Sequence, residues 1–364
     1  MHDLSGYQAI ATPHEQVSED QAAALLEREY GLRGAVLHRI TTERDDTFEV
    51  AFPQSRETDA ESNIEPDADR HYILKIENPA ESYETILLRA NVLRLLQAED
   101  PQVPATRLVA CEDGGLLSCH GGDETKRWAT LTTFLPGSVL SGKDERPTEP
   151  LLQDIGNKLA RMQQVLASRN DYQDELGRVL WDVRLLPLLA EDILPIISDA
   201  QTRGFVERAV RDYVSVEQEI ESLPETLCHG DFHPGNITVR DDDPNNIAGI
   251  LDFGDMHKMP AVCDLGTCLA YLADDHASRP FLPCAETVRG YLRINSGMSK
   301  DELRLLPGII EARYALIILL PTLVEHVTGP KEGHYLSDPV SRARRLAGMQ
   351  NYGFDAVLRD LFGE

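Results

Sequence analysis

Apolar residues fall at helical spacing near the start of the chain, where Ala22, Leu25 and Leu26 share one face. Ser18 precedes this run and Gln21 stands three residues later, the pairing of a capping box. The spacing predicts a helix that begins at Ser18 and stops at Gly31. Alternation then takes over. Residues 35–40 and 48–52 read as strands around the polar turn 41–47, and residues 72–76 as a third strand. Residues 1–17 and 53–70 lack periodicity and read as a lead-in and a surface loop or insertion. A helix from Glu81 or Ser82 to about Gln97 carries Ile86, Leu87, Ala90, Leu93 and Leu95 at helical spacing. Residues 107–111, 116–119 and 128–134 add further strands, the last ended by Pro136-Gly137.

Beyond Pro136 the pattern becomes helical: 151–166, 179–197, 204–220, 264–273, 284–293, 300–325 with breaks at Pro307 and Pro321, and 339–361. Two short apolar strands interrupt it, 237–239 and 248–251, joined by a polar turn at 241–246. The chain thus divides into a strand-rich part, 18–135, and a mostly helical part, 136–364, built around one ribbon. That is an α+β class.

The densest chemistry surrounds the ribbon. Residues 227–256 read LCHGDFHPGNITVRDDDPNNIAGILDFGDM. Asp231 and Asn236 lie just before one strand and Asp252 just after the other, so three oxygen-bearing side chains meet at one end of the hairpin. H-G-D-x-x-x-x-N followed by D-F-G has the spacing of a kinase catalytic loop. There one aspartate accepts the proton of the attacking hydroxyl, while an asparagine and a later aspartate hold magnesium. Hard oxygen donors suit that ion. D-F-G alone arises by chance, but the two motifs in order, joined by two strands and a turn, point to phosphoryl transfer.

Composition removes several alternatives. A net charge of −26 argues against nucleic acid and anionic membranes as partners. Of the 35 basic residues seven are lysines, and this acidic, lysine-poor balance suits a salt-rich cytoplasm as well as it suits an ordinary acidic protein. Six cysteines form no C-x-x-C pair, which gives no sign of structural zinc or a redox dithiol and fits a reducing compartment. No basic segment leads into an apolar run at the N-terminus, and the longest apolar run, 314–320, is too short to span a bilayer. A cytoplasmic location is expected.

The chain resembles the aminoglycoside phosphotransferase and choline kinase superfamily, and within it the hydroxylysine kinase branch. The closer likeness lies in GILDFGDM (249–256), HYILKIENPAE (71–81), LTTFLPG (131–137) and VLWDVRLLPLL (179–189), with YGLRG (30–34) and the TERDDTF turn matching too. It covers most of residues 18–345. The resemblance implies a bilobal protein-kinase-like fold, with an N-terminal nucleotide-binding lobe and a C-terminal catalytic and substrate-binding lobe. It implies ATP or GTP as co-substrate, Mg2+ as cofactor, and a small amine-bearing alcohol as acceptor.

By position, Lys75 is implied to contact the nucleotide phosphates. The turn 43–47 is implied to cover them without a glycine, through backbone N–H groups and Thr47, and Glu84 is offered as the helix acid for Lys75. Thr132 to Leu135, including Phe134, is the implied hinge to the base. Asp231 is implied to be catalytic, Asn236 and Asp252 to hold metal, and Asp264 to brace the loop from the following helix. His229 and His233 read as scaffolding. Asp255 reads either as a contact to a substrate ammonium or as a solvated acid. Trp181 and Asp182 match a motif near the acceptor pocket, Trp181 being read as core packing. Arg313, on an apolar helix, calls for an anion, either an internal carboxylate or the substrate's own. Hydroxylysine is the leading acceptor, with homoserine, choline, ethanolamine or an aminoglycoside behind it. Two rivals stay open: a metal-dependent hydrolase using His229, Asp231 and His233, and a non-catalytic nucleotide-binding regulator.

Overall fold

The computed structural model describes residues 14–42, 45–52, 71–122, 126–142, 146–168, 179–328 and 339–363. The expected lead-in before His14, the insertion at 53–70 and the turn residues Glu43 and Arg44 lie outside them. Contacts divide the chain into two units. Of the described residues, one unit takes 14–97 together with 105–135, and the other takes 98–104 with those from 136 to 363.

The first unit opens with α1 (Glu19–Tyr30), closed at its N-terminus by the Ser18–Gln21 capping box and at its C-terminus by left-handed Gly31. Strands β1 (Val36–Ile40), β2 (Asp46–Ala51) and β3 (His71–Ile76) follow. Then come α2 (Tyr83–Glu99), β4 (Leu108–Val109), β5 (Ser118–His120) and β6 (Arg127–Thr133). The strands form an antiparallel sheet in the order β1-β2-β3-β6-β4, with β5 on β6. Strand periodicity sorts its faces. Phe48, Val50, Leu74, Ile76, Ala129 and Leu131 point to one side and pack with Ala22, Leu25 and Leu26 of α1. Lys75 therefore belongs to the opposite face, in register with Thr47 on β2 and Thr130 on β6.

The second unit contains β7 (Ser138–Val139), α3 (Glu149–Ala167), α4 (Leu186–Ile193), α5 (Ala200–Glu221), β8 (Glu225–Cys228), β9 (Ile237–Arg240), β10 (Asp243–Ile250) and β11 (His257–Pro260). After these come α6 (Ala261–Leu272), α7 (Leu282–Ile294), α8 (Lys300–Leu303), α9 (Leu306–Thr328), α10 (Pro339–Tyr352) and α11 (Phe354–Phe362). The ribbon is β9 on β10, joined by β7, and a second pair, β8 on β11, brackets the loop that carries Asp231. Helices α3 and α7 approach closely, and a Cβ at Gly156 would come within 1.9 Å of the Thr287 carbonyl.

Several elements differ from the sequence reading. The turn of the ribbon is shorter than 241–246, because β10 begins at Asp243 and absorbs the polar residues through two register shifts. The span 179–197 is not one helix. Pro187 and Pro195 each open a new segment, leaving 3-10 turns on both sides of α4. The expected helix 339–361 divides at Gly353, whose φ of 84° no helix accommodates. Among the described residues no helix is long and apolar enough to cross a membrane.

One buried acid on α9 has a measurable consequence. Glu311 is 1% exposed and its carboxyl oxygens form no well-aligned hydrogen bond among the described residues, so burial, offset only in part by the nearby Gln350 side chain, pushes its carboxyl up to about 7. Its folded value lies above the unfolded one of about 4.5, so stability falls as pH rises through this interval. Glu311→Gln removes that ionisation. The variant is expected to be more stable than the wild type at pH 8 by about 2–3 kcal/mol, and close to it at pH 5, in paired thermal melts.

Candidate active site

The loop after β8 is fixed by its own backbone partners. Asp264, fully buried in the first turn of α6, accepts the N–H groups of His229 (3.3 Å) and Gly230 (3.1 Å). The His229 ring lies between the Asp231 N–H, which donates to Nδ1 (3.3 Å), and the Leu251 carbonyl, 3.0 Å from Nε2. Gly230 has φ 81°, and a Cβ there would strike the Asp255 carbonyl at 2.2 Å, so the tight turn admits only glycine.

Asp231 emerges from this frame with its carboxylate heavily engaged. Oδ1 accepts from Arg313 Nη2 at 2.5 Å, and Oδ2 accepts from Asn236 Nδ2 at 2.9 Å. His233 Nε2 lies 3.2 Å from Oδ2, while its Nδ1 accepts the Gly235 N–H (3.0 Å), which assigns the donated proton to Nε2. Burial alone would raise the Asp231 carboxyl, but His233 and Arg313 hold it well below the ordinary carboxylate range. A carboxylate offers about four lone-pair directions. Three are taken, and one is left for an incoming hydroxyl.

Arg313 has its anion inside the protein, and it is the catalytic candidate itself. The guanidinium is 1% exposed, hydrogen-bonded to the Tyr271 hydroxyl (3.1 and 3.3 Å) and the Trp181 carbonyl (3.2 Å), and stacked over the Trp181 ring at 4.5 Å. Burial opposes its charge, while Tyr271, Asp231 and Asp255 favour it. Of the two anions that Arg313 called for, the structure supplies the internal one, the Asp231 carboxylate, in place of a substrate's. Trp181, read as core packing, is the platform under Arg313. Tyr271, absent from the sequence reading, also stacks on His233 at 4.4 Å.

Asp182 is corrected as well. It is 1% exposed and capped by Arg184, whose Nε is 3.0 Å from both carboxyl oxygens, with His257 Nε2 at 3.5 Å. Burial works against its charge, but His257 and Arg184 overcome it and hold the carboxyl far below its usual range. It braces the β8–β11 pair, its buried carboxylate committed to these two partners. Asp255 braces the same region through its carbonyl, 2.8 Å from His257 Nδ1, and its charge acts on Arg313.

Asn236 and Asp252 are brought together by the ribbon. The Leu251 N–H donates to the Asn236 carbonyl at 2.8 Å, which sets Asp252 beside the asparagine. Asn236 spends its amide nitrogen on the Asp231 carbonyl (3.0 Å) and carboxylate, so its amide oxygen faces away as an acceptor. Asp252 is exposed and has φ 53°, the one positive φ outside glycine among the described residues. Buried Phe253, tilted against His229 at 4.8 Å, anchors this turn. Two hard oxygen donors presented this way fit a magnesium-sized cation. The His229, Asp231, His233 set does not, because both imidazoles are committed to protein partners.

In the other unit, Lys75 Nζ lies 2.9 Å from Asp45 Oδ2 and 3.4 Å from Glu77 Oε2. Arg89 continues the network to Glu77 (3.8 Å) and Glu81 (3.3 Å). Burial pushes the Glu77 carboxyl up against the pull of Lys75. Glu84 is corrected: it stands exposed on the first turn of α2, and Asp45 and Glu77 take its expected place. Thr47, on the same face as Lys75, is buried with an unpartnered hydroxyl. In the expected hinge, Thr132 Oγ1 lies 3.5 Å from the Ile73 carbonyl. The Thr133 and Phe134 N–H groups are bonded to the Arg107 and His71 carbonyls, and the Leu135 N–H has no backbone bond of this kind among the described residues. The Phe134 ring stacks on His71 at 3.8 Å.

Comparison with known proteins agrees with this geometry. The profile of the phosphotransferase enzyme family matches residues 58–295. Hydroxylysine kinases from Mus musculus and Bos taurus are 25% and 26% identical, each alignment covering 75% of this chain and 73% of the relative. Among solved structures, a microcompartment-associated aminopropanol kinase superposes with a TM-score of 0.68 at 18% identity, over 94% of this chain and 100% of the other. An amicoumacin kinase in complex with AMP-PNP and Ca2+ superposes with a TM-score of 0.61 at 15% identity, over 96% and 94%. These likenesses establish the protein-kinase-like α+β fold.

Proposed function

We propose, from the premise that this chain belongs to the phosphotransferase enzyme family, that it transfers the γ-phosphoryl group of ATP or GTP to the hydroxyl of a hydroxy-amino acid resembling hydroxylysine. That the protein is a small-molecule kinase with an alcohol acceptor follows from the family; the acceptor and the residue roles are our reading. The observation that carries it is the Asp231 carboxylate, held on three sides by Arg313, Asn236 and His233 with one direction open.

Held so far toward the ionised form, Asp231 is a weak base. Its task is to orient the acceptor hydroxyl and to take the proton late, which suits the loose transition state of phosphoryl transfer. A bound Mg2+ would neutralise charge developing on the phosphate oxygens. Asn236 Oδ1 and the Asp252 carboxylate would hold it. Lys75 exchanges its Asp45 contact for the nucleotide phosphates, with the Thr47 hydroxyl beside it. The backbone of Leu135 and the side chain of Thr132 serve the base, and Phe134 stiffens that end by stacking on His71. Asp255 is the acid offered to a substrate ammonium. Likeness to the hydroxylysine kinases named above is our ground for setting hydroxylysine ahead of homoserine, choline, ethanolamine and aminoglycosides.

Release of ADP or GDP measured across this panel tests the proposal. Highest kcat/KM on hydroxylysine supports it. Turnover confined to acceptors lacking a carboxylate contradicts the substrate assignment.

A further inference from the structure

A cavity of about 280 Å3 opens among α6, α9 and α10, lined by Tyr271, Asp275, Tyr314, Ile317, Arg342 and Arg345. Its wall is one ring away from the catalytic loop. Tyr271 lines it, accepts a hydrogen bond from Arg313 and stacks on His233, and both of those residues hold Asp231. Among the described residues, the guanidinium groups of Arg342 and Arg345 and the carboxylate of Asp275 line this space.

Arg345 is the defining residue. Its Nε donates to Asp275 Oδ2 at 2.6 Å and its Nη1 to the Ala270 carbonyl at 3.4 Å, which leaves Nη2 without a hydrogen bond among the described residues. The guanidinium lies over the Tyr314 ring at 5.4 Å, so its plane is steadied from below. The Tyr314 side chain is 2% exposed and its hydroxyl has no partner. Asp275, more open, presents the complementary charge beside it.

We propose that this cavity receives the amino-carboxylate end of the acceptor, its carboxylate on Arg345 and its ammonium on Asp275, while the hydroxyl at the other end of the molecule reaches Asp231. The inference rests on the kinase reading above and narrows it to acceptors that are zwitterionic at the end remote from the hydroxyl. It also explains how an amino acid is recognised when Arg313, the arginine first expected to do so, is consumed by Asp231. An arginine edge with a steadied plane binds a carboxylate through charge-assisted hydrogen bonds that a neutral headgroup cannot form. Selection for the carboxylate is thereby separated from the step at Asp231.

The test compares 5-hydroxylysine with its carboxylate-free analogue, 1,5-diaminopentan-2-ol, as acceptors for the wild type and Arg345→Gln. The ratio of kcat/KM for the amino acid to that for the analogue is expected to fall about 10- to 100-fold in the variant, most of it in KM. An equal loss on both acceptors, or none on either, overturns the proposal. Because Arg345 also braces Asp275 and Tyr314, a second measurement uses the wild type alone. Modification of Arg345 by hydroxyphenylglyoxal, followed by mass spectrometry, is expected to slow with 5-hydroxylysine and not with the analogue. Equal protection by both, or by neither, overturns it as well. If the wild type phosphorylates neither compound, the kinase assignment to this acceptor fails, and the protection result still decides the cavity.

Discussion

Asp231→Ala is expected to lower kcat by about a thousandfold or more while nucleotide binding persists. Asp231 contributes the open acceptor direction on the catalytic loop, and neither Asn236 nor His233 replaces it, because both present hydrogen atoms to this point. Asp252 and Lys75, the proposed metal and phosphate contacts, make no bond to the removed carboxylate, and Asn236 keeps its amide bond to the residue 231 carbonyl. Nucleotide affinity, read by fluorescence titration, should therefore hold while single-turnover transfer collapses. Loss of both together would mean that the loop, rather than the chemistry, had failed. The substitution also strands buried Arg313, so a melting curve accompanies the kinetics.

Arg313→Met is the second large effect, and its signature differs. Removing one partner of a buried pair costs about 3 kcal/mol of stability, because Asp231 then keeps its charge with less compensation. Turnover should fall about a hundredfold, since the carboxylate loses the contact that sets its position. The pH profile separates this from simple damage. In the wild type Arg313 and His233 keep Asp231 ionised across the working range, so protonation of Asp231 produces no acid limb. Without Arg313 the Asp231 carboxyl titrates higher, and activity should decline as pH falls toward the ordinary carboxylate range. An unchanged profile in a folded variant would contradict the assignment of Arg313 as a positioning residue.

What the sequence made legible and what it hid follow physical lines. Asp231, Asn236 and Asp252 lie within one hairpin, so spacing alone revealed that they share an end of it, and the Leu251–Asn236 bond realises that arrangement. Lys75 lies on β3 and its partner Glu77 just past the end of that strand, two positions on, so strand period carried one residue further puts both on one side. Glu84 was chosen for its place in the helix, yet α2 buries Ile86, Ala90 and Leu93, and a residue two positions before Ile86 points the other way. Tyr271 stands seven positions after Asp264 on α6, hence on the same side of the helix, and was equally readable. Arg313 and Asp231 are 82 positions apart, and no local pattern joins them. Asp182 resembles a motif near an acceptor pocket, yet it is held by Arg184 two positions on and by His257 on β11, a contact no local pattern announces. The fold class survived these misses because helix and strand periods are local, whereas ion pairs are set by tertiary packing.

The most direct measurement is a 31P NMR spectrum of the wild type incubated with Mg2+, nucleotide and 5-hydroxylysine. The γ-phosphate resonance is expected to be replaced by that of a phosphomonoester coupled to the carbinol proton, in step with nucleoside diphosphate. Inorganic phosphate as the sole product, or an unchanged γ-phosphate, would contradict it.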